Sequence, residues 1–142
     1  MPMDEQALID QLNARAPGFI KMLGGKIVAI DAEAPSCTFE FTVSTDFCHS
    51  VDVVQGGFIT TMLDAAMSHA AFASIDDITG VSSLEIKTSY LEPTRAGRLR
   101  AVGQIVKNGY KTAFLEGRLY NDDGLLTATT SSVAKLVRNK LR

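Results

Sequence analysis

The stretch Gln55-Gly-Gly-Phe-Ile-Thr-Thr-Met-Leu-Asp-Ala-Ala-Met-Ser-His-Ala-Ala-Phe72 decides the fold. At 100° per residue it predicts one long helix, over about residues 56–74, that is apolar nearly all round. A narrow polar stripe is centred on Asp64, and four residues fall within about 60° of it: Gly57, Thr60, Thr61 and Ser68. A helix this apolar is normally buried, and a carboxylate buried without a partner costs several kcal/mol. Asp64 is therefore expected either to have a compensating partner or to carry a function.

Two glycines, Gly56 and Gly57, open the predicted helix. Glycine lets another group approach the backbone closely, and the first N–H groups of a helix lack intrahelical partners and lie at the positive end of its dipole. The sequence therefore predicts an anion site that suits a phosphate or a developing oxyanion. Gly56 and Asp64 are about 12 Å apart along the axis at 1.5 Å per residue. A long substrate can span that distance, or a second chain can bring the two groups together.

The rest of the chain alternates apolar and polar residues in short runs separated by turn residues. Asp4 is suited to cap an N-terminal helix over about residues 4–15, and Asn108-Gly109 is a strong hairpin signal. Strands are predicted over residues 26–33, 37–44, 84–90, 99–106, 112–120 and 125–137, with a loop over residues 45–54. This order predicts an α+β architecture, an antiparallel sheet wrapped around one long central helix.

Length and composition limit the class of protein. The 142 residues predict a single domain over residues 1–142, and the net charge of −2 argues against a general nucleic-acid binder. Cys37 and Cys48 form neither a disulfide framework nor a metal site by spacing, and they suit a reducing compartment. We expect a cytoplasmic protein, because neither a secretory signal nor a run of about 20 apolar residues is found. The basic end, residues 138–142, is expected to fray.

Two segments resemble a known family. Gln55-Gly-Gly, followed after six residues by Asp64, resembles the His-Gly-Gly-x(6)-Asp signature of the PaaI-like acyl-CoA thioesterases of the hotdog fold. The segment Gly80–Arg95, which ends in Tyr90-Leu-Glu-Pro93, is similar to the family's third strand with its terminal aromatic-x-x-Pro. The resemblance extends from about residue 18 to residue 137. It implies a homodimer or homotetramer with active sites at the dimer seam, and hydrolysis of an acyl- or aryl-CoA thioester to a free acid and coenzyme A.

The resemblance also implies roles for individual residues. Asp64 would be either the general base or the nucleophile, and the sequence leaves both roles open. The backbone N–H of Gly57 or Gly56 would polarise the thioester oxygen, and the family places this donor at Gly56. Ser83 matches a position whose hydroxyl assists the water across the dimer seam, although a plain surface serine is an alternative.

Two departures from the family pattern concern polar residues near the glycines. Gln55 stands where the family usually has His, and a glutamine can still donate and accept hydrogen bonds. His49 stands seven residues before Gly56, where relatives often carry an Asn or Gln that orients the water or the thioester. A loop histidine in solvent is the alternative for His49. His69 lies about 140° from Asp64 on the helical wheel and is predicted to be a core histidine.

Coenzyme A contacts are implied at strand ends and hairpin turns, where cations and backbone donors suit its phosphates. The predicted contacts are Tyr90, Pro93, Thr94, Arg95, Lys107, Asn108, Gly109, Tyr110, Lys111 and Lys135. Ordinary solvated turn charges are the alternative. Coenzyme A would be part of the substrate and product, so no cofactor is expected, and neither a metal, a nucleic acid nor a membrane is expected as a partner.

Two other functions compete with the hydrolase. A non-hydrolytic hotdog protein that binds or senses acyl-CoA would keep the fold and bind these esters without turnover. A hotdog hydratase would use an Asp/His pair on a different loop-to-helix pattern, which the sequence lacks. The acyl group stays open between aromatic groups and fatty acyl groups of medium length.

Overall fold

The computed structural model describes residues 4–138, so most of the basic end predicted to fray lies outside the described residues. Residues 4–138 form three α-helices and eight strands, in the following chain order: α1 (Glu5–Ala14), α2 (Gly18–Met22), β1 (Gly25–Asp31), β2 (Ser36–Val43), β3 (Cys48–Ser50), β4 (Val53–Val54), α3 (Gly56–Ser74), β5 (Ile78–Tyr90), β6 (Gly97–Asn108), β7 (Thr112–Asn121) and β8 (Leu126–Arg138). A short 3-10 turn, Thr45–Phe47, precedes β3.

Six of the strands form one antiparallel sheet in the order β1-β2-β6-β7-β8-β5, while β3 and β4 form a separate pair. The long helix α3 packs against β2, β5, β6, β7 and β8. This confirms the predicted α+β hotdog architecture, in which the sheet wraps around one central helix. The helix can lie close to the sheet because Gly103 of β6 has no side chain: a Cβ there would overlap the backbone of Ala66 and Met67.

The core lies between α3 and the inner face of the sheet. Met62, Leu63 and Met67 of α3 are fully buried, as are Phe39 and Phe41 of β2. The two phenylalanine rings stack at a centroid distance of 5.3 Å. Each side chain of this size contributes about 1.5–3 kcal/mol when it is removed from water, which explains why the apolar helix is buried.

The structure differs from the predicted elements in two places. The third long strand begins at Ile78 rather than Leu84, and Leu84 is 64% exposed because the pairing with β8 shifts register between Ser83 and Glu85. The predicted loop over residues 45–54 contains the 3-10 turn and the β3–β4 pair. This segment is anchored at its end, since the N–H of Gln55 donates to the carbonyl of Phe47 at 2.9 Å.

The two edges of the sheet differ. Along β1, the side-chain amide of Asn13 accepts from the N–H of Ile27 at 2.8 Å and donates to its carbonyl at 3.0 Å, so α1 covers that edge. No strand among residues 4–138 pairs with the outer edge of β5, which is 13 residues long. An open edge of this length can pair with a strand of another chain. None of the helices within the described range is long and apolar enough to cross a bilayer.

Candidate active site

The first turn of α3 has one free amide. Gln55 is the N-cap residue, in an extended conformation, and its side-chain Oε1 accepts from the N–H of Gly57 at 2.7 Å. The N–H of Gly56 has no hydrogen-bond partner among residues 4–138, as expected for the first residue of a helix. Of the two predicted oxyanion donors, Gly56 is therefore the one that is available, and Gln55 acts as a helix cap.

A cleft of about 560 Å³ lies at this end of the helix. Its lining includes seven residues predicted to take part in catalysis or coenzyme A binding: His49, Gln55, Gly56, Gly57, Tyr90, Pro93 and Thr94. His49 is exposed and its Nδ1 lies 2.7 Å from Oγ of its neighbour Ser50. No hydrogen bond joins His49 to Asp64.

Asp64 has a partner on the neighbouring strand. Oγ of Ser83, on β5, donates to Oδ1 of Asp64 at 3.0 Å. Both residues belong to one chain, and the role of Ser83 across a dimer seam, which the resemblance implies, stays a prediction. Within the described part of the chain, nothing donates to Oδ2 of Asp64. That oxygen can therefore accept a hydrogen bond from a water molecule.

Asp64 lies at the polar end of a mainly apolar pocket of about 410 Å³. The apolar wall comes from α2, the 3-10 turn and α3: Phe19, Met22, Leu23, Phe47 and Phe58. Phe47 and Phe58 meet edge to face, with ring centroids 5.0 Å apart. Thr60 and Thr61 complete the polar end, as the helical wheel predicted. Such a pocket suits the apolar part of a ligand whose reacting group lies next to a carboxylate.

Tyr90 reaches the first turn of α3 from the end of β5. Its hydroxyl donates to the carbonyl of Gly56 at 2.9 Å and lies 3.2 Å from Oγ1 of Thr60. Oγ1 of Thr60 is also 2.7 Å from Oγ1 of Thr88. The hydroxyl of Tyr90, which was predicted to contact coenzyme A, is therefore bonded to the helix that carries the candidate oxyanion donor.

The predicted coenzyme A contacts fall into two groups. The first follows β5: Pro93 lines the cleft at the helix start, and Arg95 forms a 2.7 Å ion pair with Asp52. Thr94 is 1% exposed and donates to Thr127 at 2.8 Å, so its hydroxyl is not available to a ligand.

The second group lies at the opposite end of β6, in the β6–β7 hairpin and on β8: Lys107, Asn108, Gly109, Tyr110, Lys111 and Lys135. There the guanidinium of Arg138 lies 4.2 Å from the centre of the Tyr110 ring. At about 3.4 Å per residue, β6 spans about 34 Å at most between Gly97 and Lys107. One coenzyme A would have to extend along the whole strand to contact both groups of the same chain.

Two other candidates do not belong to the site. His69 is a core histidine, as predicted: it is 9% exposed and its Nδ1 bonds to the carbonyl of Ala65 at 2.8 Å. Burial lowers the pKa of His69, with the Ala65 carbonyl and Asp64 opposing that shift. Burial raises the pKa of the Cys37 thiol to about 12, which makes it a poor nucleophile. Residues 4–138 contain no cluster of three His, Cys, Asp or Glu side chains that could hold a metal ion.

The prediction from sequence missed three contributors to this region: the apolar wall from α2, the hydroxyl of Thr88, and the bond from Tyr90 to Gly56. A signal was present for the last two. Thr88 and Tyr90 occupy alternate positions of one strand and therefore face the same side. The sequence alone does not show which helix that side faces.

Comparison with known proteins identifies the family. The model of the thioesterase superfamily matches residues 52–128, which are 77 of the 142 residues. An uncharacterized protein of Schizosaccharomyces pombe is 33% identical over 78 residues, or 55% of this chain and 41% of that protein. The chain thus spans about two fifths of the length of this relative.

Solved structures extend the likeness to almost the whole chain. A phenylacetic acid degradation-related protein of Ralstonia eutropha is 31% identical, with a TM-score of 0.81 over 90% of this chain and 98% of that one. The PaaI protein of the E. coli phenylacetic acid degradation operon has a TM-score of 0.81 at 18% identity, over 98% and 100% of the two chains. A Haemophilus influenzae thioesterase has a TM-score of 0.81 at 16% identity, over 97% and 93%. The last two likenesses are of fold alone.

Proposed function

The chain belongs to the thioesterase superfamily and to its PaaI-like hotdog group, and from this membership we propose that it hydrolyses an acyl- or aryl-CoA thioester to a free acid and coenzyme A. The observation that carries this proposal is the pairing of Asp64 with Ser83 at the polar end of an apolar pocket. The apolar wall suits an acyl group, and an acyl group bound there would bring its thioester carbon next to the carboxylate.

Asp64 is proposed to activate water or to attack the carbonyl carbon itself. In the first route Oδ2 takes a proton from water as the water oxygen bonds to the carbonyl carbon. The carbon–sulfur bond then breaks, and the coenzyme A thiolate leaves and takes up a proton. Ser83 supports either route because its hydrogen bond to Oδ1 fixes the orientation of the carboxylate and leaves Oδ2 open.

The N–H of Gly56 is proposed to stabilise the oxyanion. It has no partner among the described residues, whereas the N–H of Gly57 is bonded to Gln55. A donor at the start of a helix also benefits from the positive end of the helix dipole. The exposed imidazole of His49, in the same cleft, is proposed to bind the thioester or a water molecule.

The two groups cannot act on one thioester within a single chain. An oxyanion donor lies about 2.7–3.1 Å from the oxygen that it stabilises, and attacking atoms start about 3–3.5 Å from carbon. Gly56 and Asp64 of one helix are about 12 Å apart along its axis. We therefore propose that each active site combines Gly56 of one chain with Asp64 of a second copy.

The open edge of β5 supports such a homodimer. Antiparallel pairing of two β5 strands would place the Tyr90 end of one chain beside the Ile78 end of the other. The Lys107–Lys111 hairpin lies near the Ile78 end, because Ile78 pairs with Arg138 and Arg138 packs on Tyr110. The residues around Arg95 in one chain and the hairpin of the second copy would then flank one coenzyme A.

Substitution of Asp64 tests the proposed hydrolysis. With a panel of aryl- and acyl-CoA esters of medium length, release of free thiol by Asp64→Asn and Asp64→Ala should fall by about 10²–10⁴-fold relative to the wild type. The matched control is Asp10→Asn, an exposed carboxylate of α1 that bonds to Gln6. Wild-type turnover by both Asp64 variants would contradict the assignment of Asp64 as the catalytic carboxylate.

A non-hydrolytic acyl-CoA-binding protein is the second candidate, since the same pocket and cleft would serve binding alone. It predicts that the wild type binds these esters in calorimetry without releasing thiol.

For the enzyme, water is the only co-reactant, so coenzyme A enters with the substrate and leaves as product rather than serving as a cofactor. The free thiols of Cys37 and Cys48 support the proposed cytoplasmic location.

A further inference from the structure

Tyr90 is bonded to the backbone of the residue that would donate to the oxyanion. Its hydroxyl donates to the Gly56 carbonyl at 2.9 Å, across 34 residues of sequence. We infer that Tyr90 is a positioning residue, which holds the first turn of α3 so that the Gly56 N–H is fixed for the reaction. This inference rests on the proposed function, in which that N–H stabilises the oxyanion, and it assigns Tyr90 a different role from coenzyme A binding.

The hydrogen bonds around Tyr90 can run in only one direction. The Gly56 carbonyl can only accept, so the single proton of the Tyr90 hydroxyl is committed to it. Thr60 must then donate to Tyr90 across 3.2 Å, and Thr88 must donate to Thr60 across 2.7 Å. In this series of hydrogen bonds Thr88 donates first, and Thr60 and Tyr90 each accept one bond and donate the next. Hydrogen bonds in such a series strengthen one another, so β5 holds the start of α3 in one place.

Residue 56 is also fitted to the Tyr90 ring. A Cβ at Gly56 would lie 2.9 Å from Oη, 3.0 Å from Cζ and 3.3 Å from Cε1 of Tyr90. The phenol therefore occupies the space of the missing side chain and packs directly against the backbone of the donor residue. The absence of a side chain at this position is explained by the approach of Tyr90 as well as by access of a ligand to the amide.

The strand β5 positions both proposed catalytic groups of α3, the carboxylate of Asp64 and the amide of Gly56. Towards its middle, β5 presents Ser83 to Asp64, and at its end it presents Tyr90 to Gly56. Because both bonds run from β5 to α3, a shift of the strand along the helix would disturb the carboxylate and the amide together. If β5 also forms the proposed dimer edge, assembly and alignment of the catalytic groups depend on one element.

Tyr90→Phe removes the hydroxyl and keeps the ring. We expect kcat to fall by about three- to ten-fold, which corresponds to the loss of one ordinary hydrogen bond, while KM and the binding of a non-hydrolysable thioether analogue of the substrate stay unchanged. Thr60→Val, which leaves the Tyr90–Gly56 bond in place, should lower kcat less. Tyr120→Phe, on β7 and 4.8 Å from the guanidinium of Arg100, is the matched control.

The kinetic constants of Tyr90→Phe separate a positioning role from contact with coenzyme A. A raised KM with an unchanged kcat in Tyr90→Phe would mean that Tyr90 contacts coenzyme A, and the inference would be overturned; an unchanged kcat and KM would overturn it as well.

Amide hydrogen exchange gives a readout that does not need turnover. The Thr60 N–H, which bonds to the Gly56 carbonyl in a regular helix, should exchange faster in Tyr90→Phe and not in Tyr120→Phe. If the wild type and Asp64→Asn are both inactive in the same assay, the proposed hydrolysis is wrong. The hydrogen bond between Tyr90 and Gly56 is then still tested by hydrogen exchange.

Discussion

Within residues 4–138, the carboxylate of Asp64 on the central helix has one hydrogen-bond partner on the sheet, the hydroxyl of Ser83. A half-buried carboxylate on an apolar helix would otherwise lack compensation for its lost hydration. One hydrogen bond to Oδ1 supplies part of that compensation without using Oδ2. The pair therefore stabilises the fold and leaves Oδ2 open for the proposed reaction.

His69 is the residue whose titration should affect stability. Its ring lies edge-on to Phe39 and Phe72, with centroid distances of 5.1 and 5.7 Å. Burial lowers the pKa of His69 in the folded protein below 6.5, while the Ala65 carbonyl and Asp64 raise it in part. The unfolded chain therefore binds a proton more readily, so this contribution to stability is complete above pH 6.5 and is lost as pH falls through that value.

We expect the free energy of unfolding of the wild type to fall below pH 6.5 by up to about 1.4 kcal/mol per pH unit from this group. Urea unfolding between about pH 7 and pH 5 measures it, with His69→Gln as the matched variant, because glutamine can still donate to the Ala65 carbonyl but does not titrate. Equal losses of stability in the two proteins over this range would contradict the prediction.

At the scale of elements, the contact between α3 and β6 determines how closely the sheet wraps the helix. Gly103 lies at the middle of β6, where the helix backbone itself occupies the position of a side chain. A neighbouring side chain can change rotamer to accommodate an added methyl group, but a helix backbone can only move as a whole. Ala66, the helix residue closest to Gly103, is small as well, which is consistent with close packing on both sides.

Gly103→Ala should therefore lower the free energy of unfolding by more than about 3 kcal/mol, at or above the upper end of the usual cost of overpacking. Chemical unfolding followed by circular dichroism measures this. Gly18→Ala is the control, since a Cβ at Gly18 meets nothing within 4 Å and should leave stability unchanged or slightly increased. A Gly103 variant within about 0.5 kcal/mol of the wild type would show that the helix and sheet can separate at low cost.

The sequence predicted these elements best where the signal was local. The polar stripe around Asp64, the glycines before it and the alternation in β2 lie within single elements, so periodicity was enough to find them. The exposure of Leu84 had no local signal, because a bulge changes the alternation without any marker in the residues themselves. The bonds of Asn13 to Ile27 and of Tyr90 to Gly56 join distant segments, and no local pattern reports such contacts.

At the scale of the whole molecule, one edge of the sheet is covered by another part of the chain and the other edge, within residues 4–138, is open. Asn13 covers the edge strand β1 with a side-chain amide that imitates a neighbouring backbone. The longer edge, β5, carries Ser83 and Tyr90 and has no such cover among residues 4–138. Assembly through β5 would both pair its free backbone groups and bring the Gly56 of one chain towards the Asp64 of another.

A mixture of two inactive variants tests the two-chain site. Asp64→Asn removes the proposed base, and Gly56→Pro removes the proposed donor in a position where proline suits a helix, since Gln55 has a ψ of 138°. The proline ring must displace Tyr90, so circular dichroism and size-exclusion chromatography first check that each variant folds and assembles.

In a mixed dimer one site keeps both intact groups and the other has neither. Co-expression of the two should therefore restore about one quarter of the wild-type turnover, whereas co-expression of Asp64→Asn with Asp64→Ala should restore none. If the first mixture stays as inactive as its components although mixed dimers form, Gly56 and Asp64 do not meet across two chains.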